Sequence, residues 1–372
     1  MTNQNPTQRF GGGSVKIKLK ELLLPQPKSK VKAGVGTETG KYKFFTSSPI
    51  QSKYYDEANY NQPALIFGTG GNASVHFCAE EFTTSTDCLV TYGTSKANLE
   101  MIYYYLRNYI YLLKDGFKGA GLKHISKDYI LNIEIDFPNE EIQEKIVLEL
   151  RKIDSLVKFR IQQRDFLDRL VKSRFVEMFG KSEFQKVSLG SVCSKITDGT
   201  HKTPKYQAEG ITFISAKNII GNAINYSDVK YISESEYWDI QNRCQTEMND
   251  IVLSKSGTLG VPAIIRTEQK LGLFESLAIL KYDRHKLLPE FLCEQLKSDN
   301  VQRQFVSGTK GVAVKHLHLG VIANTIIILP PLELQQQFAD FVKKVDKSKY
   351  YSLLSLECCR LAANKYRQEW GI

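Results

Sequence analysis

The residues of this chain that could carry out chemistry are its histidines, its acidic residues and a few short loop motifs. The histidines, at 76, 124, 201, 285, 316 and 318, form no HExxH motif and have no cysteine partner at metal-ligand spacing. The LPPL segment at 329–332 lacks the polar first residue and the aromatic last residue of a methyltransferase loop. The order of a metal-dependent nuclease motif is present in Asp250, Glu268 and Lys270, but this order is common by chance. Both acidic residues also lie in predicted turns that flank a hairpin. We therefore predict no catalytic residue, no metal site and no cofactor bound by this chain.

A glycine-containing segment, FGTGGN at 67–72, invites comparison with a phosphate-binding loop. The chain contains no GxxxxGK[ST] motif, and these glycines lie in a predicted hairpin, whereas a phosphate loop joins a strand to a helix. Nucleotide binding is therefore not predicted here.

Polar and basic loops predict a different activity, the binding of DNA. KITDGTHKTPKY at 195–206 alternates small, polar and basic residues, as an exposed loop does, and such side chains bond phosphate oxygens or base edges. In the second half of the chain the predicted DNA-binding residues are Thr200, His201, Lys202, Thr203, Lys217, Asn218, Lys255, Ser256, Lys310, Lys315 and His316. In the first half they are Lys43, Thr46, Ser47, Thr69, Gly70, Gly71, Asn72, Lys118, Lys123 and His124. The alternatives are ordinary solvated turns, and a capping or core role for the recurring histidines.

The composition agrees with a polyanionic partner without proving one. Fifty Lys and Arg against 40 Asp and Glu give the 372 residues a formal net charge of +10. The seven cysteines are an odd number with no CxxC pair, which indicates a reducing compartment and hence the cytoplasm. Residues 1–14 are expected to be a mobile tail, and the apolar run at 101–113 is too short to cross a membrane, so we predict no membrane association.

The elements that must position these loops occur twice. Residues 119–154 align without gaps on 311–346 at a constant offset of 192, and the identical pairs include Lys123 with Lys315 and Pro138 with Pro330. Upstream, 64–77 corresponds to 250–265, and both read as strand, glycine turn and strand. Each is followed by a β-type run and then by a predicted helix, near 98–113 in the first copy and near 288–305 in the second. We therefore predict a tandem duplication of two mixed α/β (α+β) domains.

A long helix is predicted to follow each domain. After Pro138 and Pro330, apolar residues recur at spacings of three and four, and glutamates occupy the first turn. Helices of this length bury an apolar stripe only against another helix, so we predict that the two pair as antiparallel coiled-coil helices about a pseudo-two-fold axis. The predicted boundaries are a tail at 1–14, domains at 15–137 and 181–329, and helices at 138–180 and 330–372.

From about Val15 onward, this pattern resembles the type I restriction-modification specificity subunit. The resemblance is carried by the KITDGTHKTPKY segment and by FPNEEIQEKI and LPPLELQQQF, which lie about 190 residues apart. It implies that each domain is a target recognition domain reading one half of a bipartite double-stranded DNA site. It places DNA-facing loops at 42–48, 67–72 and 118–124 in the first domain, and at 197–203, 217–218, 254–257 and 310–316 in the second. The first copy departs from the family by having FPNE where the second has a Pro-Pro pair.

The resemblance also implies the partners. The helices would set the length of the unread DNA spacer and dock two methyltransferase subunits, through which restriction and translocase subunits would join. S-adenosylmethionine, ATP and Mg would then be bound by those partner subunits. Two alternatives are a recognition subunit for a fused methyltransferase-nuclease of a type II system and a structural adaptor that does not bind DNA.

Overall fold

The computed structural model describes residues 14–180, 183–309 and 316–370, with side chains as far as Lys365. Of the expected tail at 1–14, only Ser14 is among the described residues. The chain folds as two compact units: unit 1 consists of 14–161 and 353–370, and unit 2 of 162–352. Each long helix therefore contributes residues to both units.

Unit 1 is built on short strands in two main sheets. The strands are β1 (Val15–Lys18), β2 (Leu23–Pro25), β3 (Tyr42–Phe45), β4 (Lys53–Tyr55), β5 (Ala64–Gly68), β6 (Ser74–Cys78), β7 (Phe82–Thr84), β8 (Cys88–Gly93) and β9 (Glu134–Phe137). One sheet has the order β2-β8-β5-β6 and is antiparallel throughout. The second has the order β4-β3-β7, with β3 parallel to β7, and β1 pairs separately with β9.

Helices cover one face of the larger sheet of unit 1. They are α1 (Leu19–Leu22), α2 (Leu99–Asn108), α3 (Tyr111–Lys114), α4 (Lys127–Asn132) and the beginning of α5 (Glu140–Phe179). The Asn98 side chain accepts a hydrogen bond from the Met101 amide and so fixes the start of α2. Ile102 and Leu106 of α2 are fully buried in one cluster with Leu65 and Phe67 of β5. The helices thereby pack against this face of the sheet.

Unit 2 repeats this plan. Its strands are β10 (Gln185–Ser188), β11 (Cys193–Asp198), β12 (Ile211–Ile214), β13 (Ile219–Ile220), β14 (Ala223–Ile224), β15 (Lys230–Ile232), β16 (Ile251–Ser254), β17 (Pro262–Ile264), β18 (Leu271–Leu273), β19 (Leu277–Tyr282) and β20 (Ile326–Leu329). Its larger sheet has the order β11-β19-β16-β17, and its smaller sheet the order β15-β12-β18, again with one parallel pair. Its helices are α6 (Glu234–Gln241), α7 (Pro289–Lys297), α8 (Asp299–Gly308), α9 (Leu319–Asn324) and α10 (Leu332–Trp370).

Individual hydrogen bonds confirm the duplication. β1 pairs with β9 in the register Val15 to Phe137, and β10 pairs with β20 in the register Gln185 to Leu329. The Leu19 amide donates to the Ile133 carbonyl over 3.0 Å, and the Leu189 amide donates to the Thr325 carbonyl over 2.8 Å. The two acceptors are 192 positions apart, as the repeat requires.

A buried glutamine fastens the start of each long helix to the strand before it. The Gln143 side chain donates to the Pro138 carbonyl over 2.7 Å, and Gln335 donates to the Pro330 carbonyl over 2.8 Å. Gln335 also donates to the Lys286 carbonyl and accepts from the Leu288 amide, which lie just ahead of α7. We call this arrangement the glutamine clasp. It explains why a Gln recurs five residues after the proline in both copies.

Within unit 2 the two long helices pack antiparallel. Phe175 and Phe179 of α5 lie 5.6 and 5.7 Å from Phe338 of α10, measured between ring centroids. A second contact lies farther along both helices, where Asp168 of α5 pairs with Lys349 of α10 over 2.6 Å. Asp168 precedes Phe175 in sequence whereas Lys349 follows Phe338, so the two helices run in opposite directions. Pairing of the two helices, predicted from their apolar stripes, is confirmed within this unit.

Two features differ from the predictions. The helices expected near 98–113 and 288–305 are each broken in two, at Tyr109–Ile110 and at Ser298. At Ser298 the side chain accepts a hydrogen bond from the Val301 amide and starts a new helix within the polar run at 297–300. Unit 2 also carries α6 between β15 and β16, where unit 1 has only a short connection. In the described part of the chain, no helix is long and apolar enough to cross a membrane.

Candidate nucleic-acid interface

In unit 1, three loops meet at the end of the larger sheet where β5 turns into β6. Their meeting point is the backbone carbonyl of Asp87, which precedes β8. It accepts a hydrogen bond from the Ser47 hydroxyl over 2.6 Å, and from both the amide and the hydroxyl of Thr69 over 2.9 Å. The Gly70 amide in turn donates to the Ser47 hydroxyl over 3.3 Å. The loop after β3 and the glycine turn are thus tied to one neutral acceptor.

The segment 118–124 completes this cluster. Lys118 and His124 exchange two backbone hydrogen bonds of 2.9 and 3.0 Å, which close a small hairpin. The Gly71 amide donates to the Lys123 carbonyl over 3.0 Å, and a ring nitrogen of His124 lies 3.2 Å from the Thr69 carbonyl oxygen. Gly71 has φ +81°, a conformation that favours glycine.

We call the residues 46–48, 69–72 and 118–124 loop cluster 1. Among the predicted DNA-binding residues, the described contacts bring together Ser47, Thr69, Gly70, Gly71, Lys118, Lys123 and His124. Thr46 accepts from the Ser48 amide in the same loop, and Asn72 is exposed next to Gly71. Lys43 projects from β3, and its amino group pairs with Glu80 over 2.8 Å.

In unit 2, the corresponding end of the sheet is organised around a buried carboxylate. Asp198, the last residue of β11, is 4% exposed and forms ion pairs with Lys255 and Arg243. His201 lies 3.3 Å from the same carboxylate, while its other ring nitrogen is 2.7 Å from Glu275. Burial alone would raise the pKa of Asp198, but hydrogen bonds from Lys255 and Arg243 outweigh it and lower the pKa to about 2.

The loop that carries the KITDGTHKTPKY motif begins immediately after this carboxylate. A Cβ at Gly199 would lie 2.1 Å from the Leu273 carbonyl oxygen, so only glycine allows the chain to pass so close to the end of β18. Thr200 then donates to the Leu273 carbonyl over 2.9 Å and accepts from the Glu275 amide over 3.0 Å. His201, Lys202 and Thr203 follow as exposed residues.

A cavity of about 230 Å³ lies between this loop and α6. Its lining includes His201, Lys202, Asp239 and Arg243. Glu236 of α6 accepts a hydrogen bond from the Lys205 amide over 2.8 Å, which holds the far side of the loop. Helix α6, for which unit 1 has no counterpart, therefore supports the loop from behind.

We call the residues 199–206, 255–258 and 316 loop cluster 2. Lys255, which we predicted from its basic character, is only 11% exposed because its amino group is held by Asp198. Asn218 is buried, and its amide donates to the Asp228 carbonyl, whereas Lys217 is exposed beside Asp228. Ser256 is partly exposed and His316 is exposed. Lys310 and Lys315 lie outside the described residues.

The two clusters share one backbone pattern but differ in side-chain chemistry. In unit 1 the Thr69 amide donates to the Asp87 carbonyl, and the Thr69 carbonyl accepts from Ile125 over 3.1 Å. In unit 2 the Lys255 amide donates to the Ser276 carbonyl over 2.8 Å, and the Lys255 carbonyl accepts from Leu317 over 2.9 Å. Ile125 and Leu317 are 192 positions apart. At this shared position unit 1 places a hydroxyl and unit 2 an ammonium group.

Sequence reasoning did not single out Asp198, Arg243 or Asp87. An acidic residue directly ahead of a glycine, where a predicted strand gives way to a loop, was the available signal for Asp198. Arg243 lies 45 residues away and Asp87 acts through its backbone, so neither had a local pattern.

Two residues of the nuclease-like order, Asp250 and Lys270, are paired with residues outside it. Asp250 pairs with Lys281 over 2.7 Å, and Lys270 pairs with Glu234. Among the described residues, no three His, Cys, Asp or Glu side chains are placed to hold a metal ion. All seven cysteines carry free thiols.

Comparison with known proteins places these features in a family. Residues 13–164 and 181–351 each match the type I restriction modification DNA specificity domain. The chain is 22% identical over 305 residues to the type I restriction enzyme MjaVIII specificity subunit of Methanocaldococcus jannaschii, covering 76% of this chain and 72% of that protein. It is 21% identical over 316 residues to the type I restriction enzyme EcoBI specificity subunit of Escherichia coli, covering 76% of this chain and 66% of that protein. The fold matches the crystal structure of the type I restriction-modification S subunit from M. genitalium with a TM-score of 0.61 at 15% identity, over 100% of this chain and 98% of that one.

Proposed function

Because the chain belongs to the type I restriction-modification DNA specificity family, and is a specificity subunit of such a system, we propose that each unit reads one half of a bipartite double-stranded DNA target. One observation carries this proposal: loop clusters 1 and 2 share a backbone framework at equivalent ends of equivalent sheets, yet present different side chains. A shared framework with divergent side chains suits two readers of different sequences.

Loop cluster 1 would contact DNA through its exposed residues. Lys118, Lys123 and His124 are exposed on the small hairpin, and Asn72 is exposed on the glycine turn. Lysines supply the phosphate contacts that position a protein on the duplex, while Asn and His can reach base edges. The net charge of +10 favours the approach of a polyanion.

Loop cluster 2 would act through the exposed residues His201, Lys202 and Thr203, with Ser256 and His316 beside them. We assign Lys255 and Asn218 to the support of this surface, because both are largely covered by protein. Lys217 is exposed and stays a candidate for a phosphate contact.

The long helices would serve assembly. Large apolar side chains are exposed along both, namely Leu148, Leu156, Phe159, Ile161, Phe166, Val176, Tyr350, Tyr351, Leu353, Leu354 and Leu361. Apolar side chains exposed in such number indicate a protein-binding surface. We propose that two methyltransferase subunits dock there and that restriction and translocase subunits join through them. S-adenosylmethionine, ATP and Mg would act in those subunits, this chain would perform no chemistry, and the complex would work in the cytoplasm.

A binding selection from random duplexes tests the proposal. The full-length chain, purified with the subunits that accompany it, should enrich a motif of two short specified sequences separated by an unspecified spacer. A single contiguous motif, or none, would overturn the proposal. Affinity for the enriched site should fall linearly with the logarithm of salt concentration, because phosphate contacts release counterions.

Matched lysine variants sharpen this test. Lys123→Ala should reduce the slope of that salt dependence by about 0.9 if Lys123 contacts one phosphate. Lys96 is an exposed lysine that follows the opposite end of β8, so Lys96→Ala is the control and should leave the slope unchanged.

A further inference from the structure

We propose that Asp198 is a positioning residue for unit 2: its buried carboxylate fixes the loops of cluster 2 in the geometry that reads DNA. The inference rests on the proposed function, and it concerns a residue that would not itself touch the DNA.

The first argument is connectivity. Asp198 lies at the end of β11 and accepts from Lys255, which follows β16, and from Arg243, which follows α6. The Lys255 ammonium also donates to the Glu275 carbonyl over 3.3 Å, in the turn between β18 and β19. One carboxylate therefore joins four chain segments that enter the candidate interface from different elements.

The second argument is that the exposed residues depend on these segments. His201 is held between Asp198 and Glu275, and Thr200 is bonded to the backbone of Leu273 and Glu275. The backbone carbonyl of Lys255 accepts from Leu317, which directly follows His316. Displacement of Lys255 would therefore shift both the loop at 199–206 and the segment at 316.

The third argument is electrostatic. Lys255 is 11% exposed, so removal of the Asp198 charge would leave a buried ammonium group without its counterion. A buried charge that loses its partner is strongly unfavourable, and the side chain moves toward water when it can. The resulting movement would occur inside loop cluster 2, since Lys255 is part of it.

In unit 1 the group that gathers the loops is a backbone carbonyl, which carries no formal charge. There the neutral Asp87 carbonyl gathers the hydroxyls of Ser47 and Thr69 and the amide of Thr69. A charge-removing substitution at Asp198 should accordingly impair one half of the DNA site and leave the other intact.

Unit 2 offers a matched control at the far end of β16, the strand that leads into Lys255. Asp250 directly precedes β16, is 2% exposed, and pairs with Lys281 over 2.7 Å and with Arg284 over 3.3 Å. Asp250→Asn removes a buried ion-paired carboxylate of the same unit, but away from loop cluster 2. It reports what the loss of such a group does to stability alone.

The experiment is the binding selection repeated on full-length D198N and D250N, with the thermal unfolding of each variant measured alongside. A base change in the target lowers wild-type affinity by about 5- to 150-fold. For D198N we expect base changes in one half-sequence to lower the affinity by less than about twofold, while base changes in the other half-sequence lower it as much as they do for the wild type. D250N should still select both half-sequences, even when its unfolding temperature falls as far below the wild-type value as that of D198N.

Each other outcome is decisive. If D198N retains both half-sequences or loses both equally, or if D250N loses the same half, Asp198 has no positioning role. If the wild-type chain itself enriches no bipartite motif, it is the proposed function that fails.

Discussion

At the scale of single residues, close backbone approach and buried charge decide how the candidate interface is held. Gly199 and Asp198 are neighbours in sequence, and each serves the loop that follows by a different means. Gly199 allows the loop to pass close to the end of β18. The Asp198 carboxylate anchors the start of the loop through its ion pairs with Lys255 and Arg243. The two contributions can be separated by substitution.

Gly199→Ala should displace the loop that begins there. The added Cβ would meet backbone atoms of Leu273 and Phe274 at 2.1–2.6 Å, and backbone atoms at the end of a strand cannot move aside as a flexible side chain can. We expect a loss of about 1–3 kcal/mol of stability, measured by urea unfolding, together with weaker DNA binding. Gly320→Ala in α9 is the control, because among the described residues outside its own helix backbone and chain neighbours no atom lies within 4 Å of the added Cβ. That variant should be as stable as the wild type or slightly more so.

Asp198 should also leave a signature in acid. Its folded-state pKa of about 2 lies below the ordinary value of about 3.9 for an unfolded Asp, so its contribution to stability is complete only above about pH 5. The contribution is lost progressively as the pH falls from there through the folded-state pKa. The difference in urea midpoint between wild type and D198N should therefore be constant from pH 7 to about pH 5 and should narrow as the pH falls toward 2. A difference that widened in that range would contradict the assignment of the depressed pKa.

At the scale of elements, the glutamine clasp explains why each long helix begins where it does. Gln143 satisfies one carbonyl of the preceding strand connection, while Gln335 satisfies two carbonyls and one amide. Both side chains are buried, so the groups they satisfy are shielded from water. The clasp is thus the local reason that strand and helix meet at a fixed geometry.

Truncation of the clasp should cost unequal amounts in the two copies. An unsatisfied buried polar group costs about 1–3 kcal/mol, so Gln335→Ala should destabilise the protein more than Gln143→Ala. Hydrogen exchange of the amides near the start of each helix is the appropriate measurement, since it reports each copy separately. Equal effects in the two copies would show that the additional bonds of Gln335 contribute nothing.

The sequence predicts such elements well wherever local patterns set them. The repeat with its offset of 192 predicted that a long helix starts after Pro138 and again after Pro330, whereas the pairing of β9 and β20 with β1 and β10 was not predicted. The break at Tyr109 was not predicted, because apolar residues continue across it, whereas the polar residues at 297–300 were an available signal for the break at Ser298. The Asp198 ion pairs were not predicted either, since they join residues that lie 45 and 57 positions apart and depend on tertiary placement.

At the scale of the whole molecule, the proposal of two readers implies that helix length enters the definition of the target. Residues of α5 contribute to both units, and each unit has its own sheet and loop cluster. A change in α5 should therefore affect the spacer and not the half-sequences.

Deletion of four residues between 155 and 175 tests this directly. Four residues are just over one helical turn and about 6 Å, so the apolar stripe is nearly preserved while the helix shortens. The binding selection should return both original half-sequences with an altered spacer. Substitution of the same four residues by alanine, without shortening, should return the original spacer. An unchanged spacer in the deletion variant would show that the helices do not measure DNA.

The glutamine clasp also has a mechanical consequence for unit 2. The Gln335 side chain hydrogen-bonds the backbone of Lys286 and Leu288 as well as that of Pro330, so the first turn of α10 is fixed to the segment that leads into α7. We expect this junction to be stiff. A force applied to α10 by a bound protein would then be transmitted to that segment and would not be absorbed at the start of the helix, and a displacement of the segment would be transmitted to α10 in the same way.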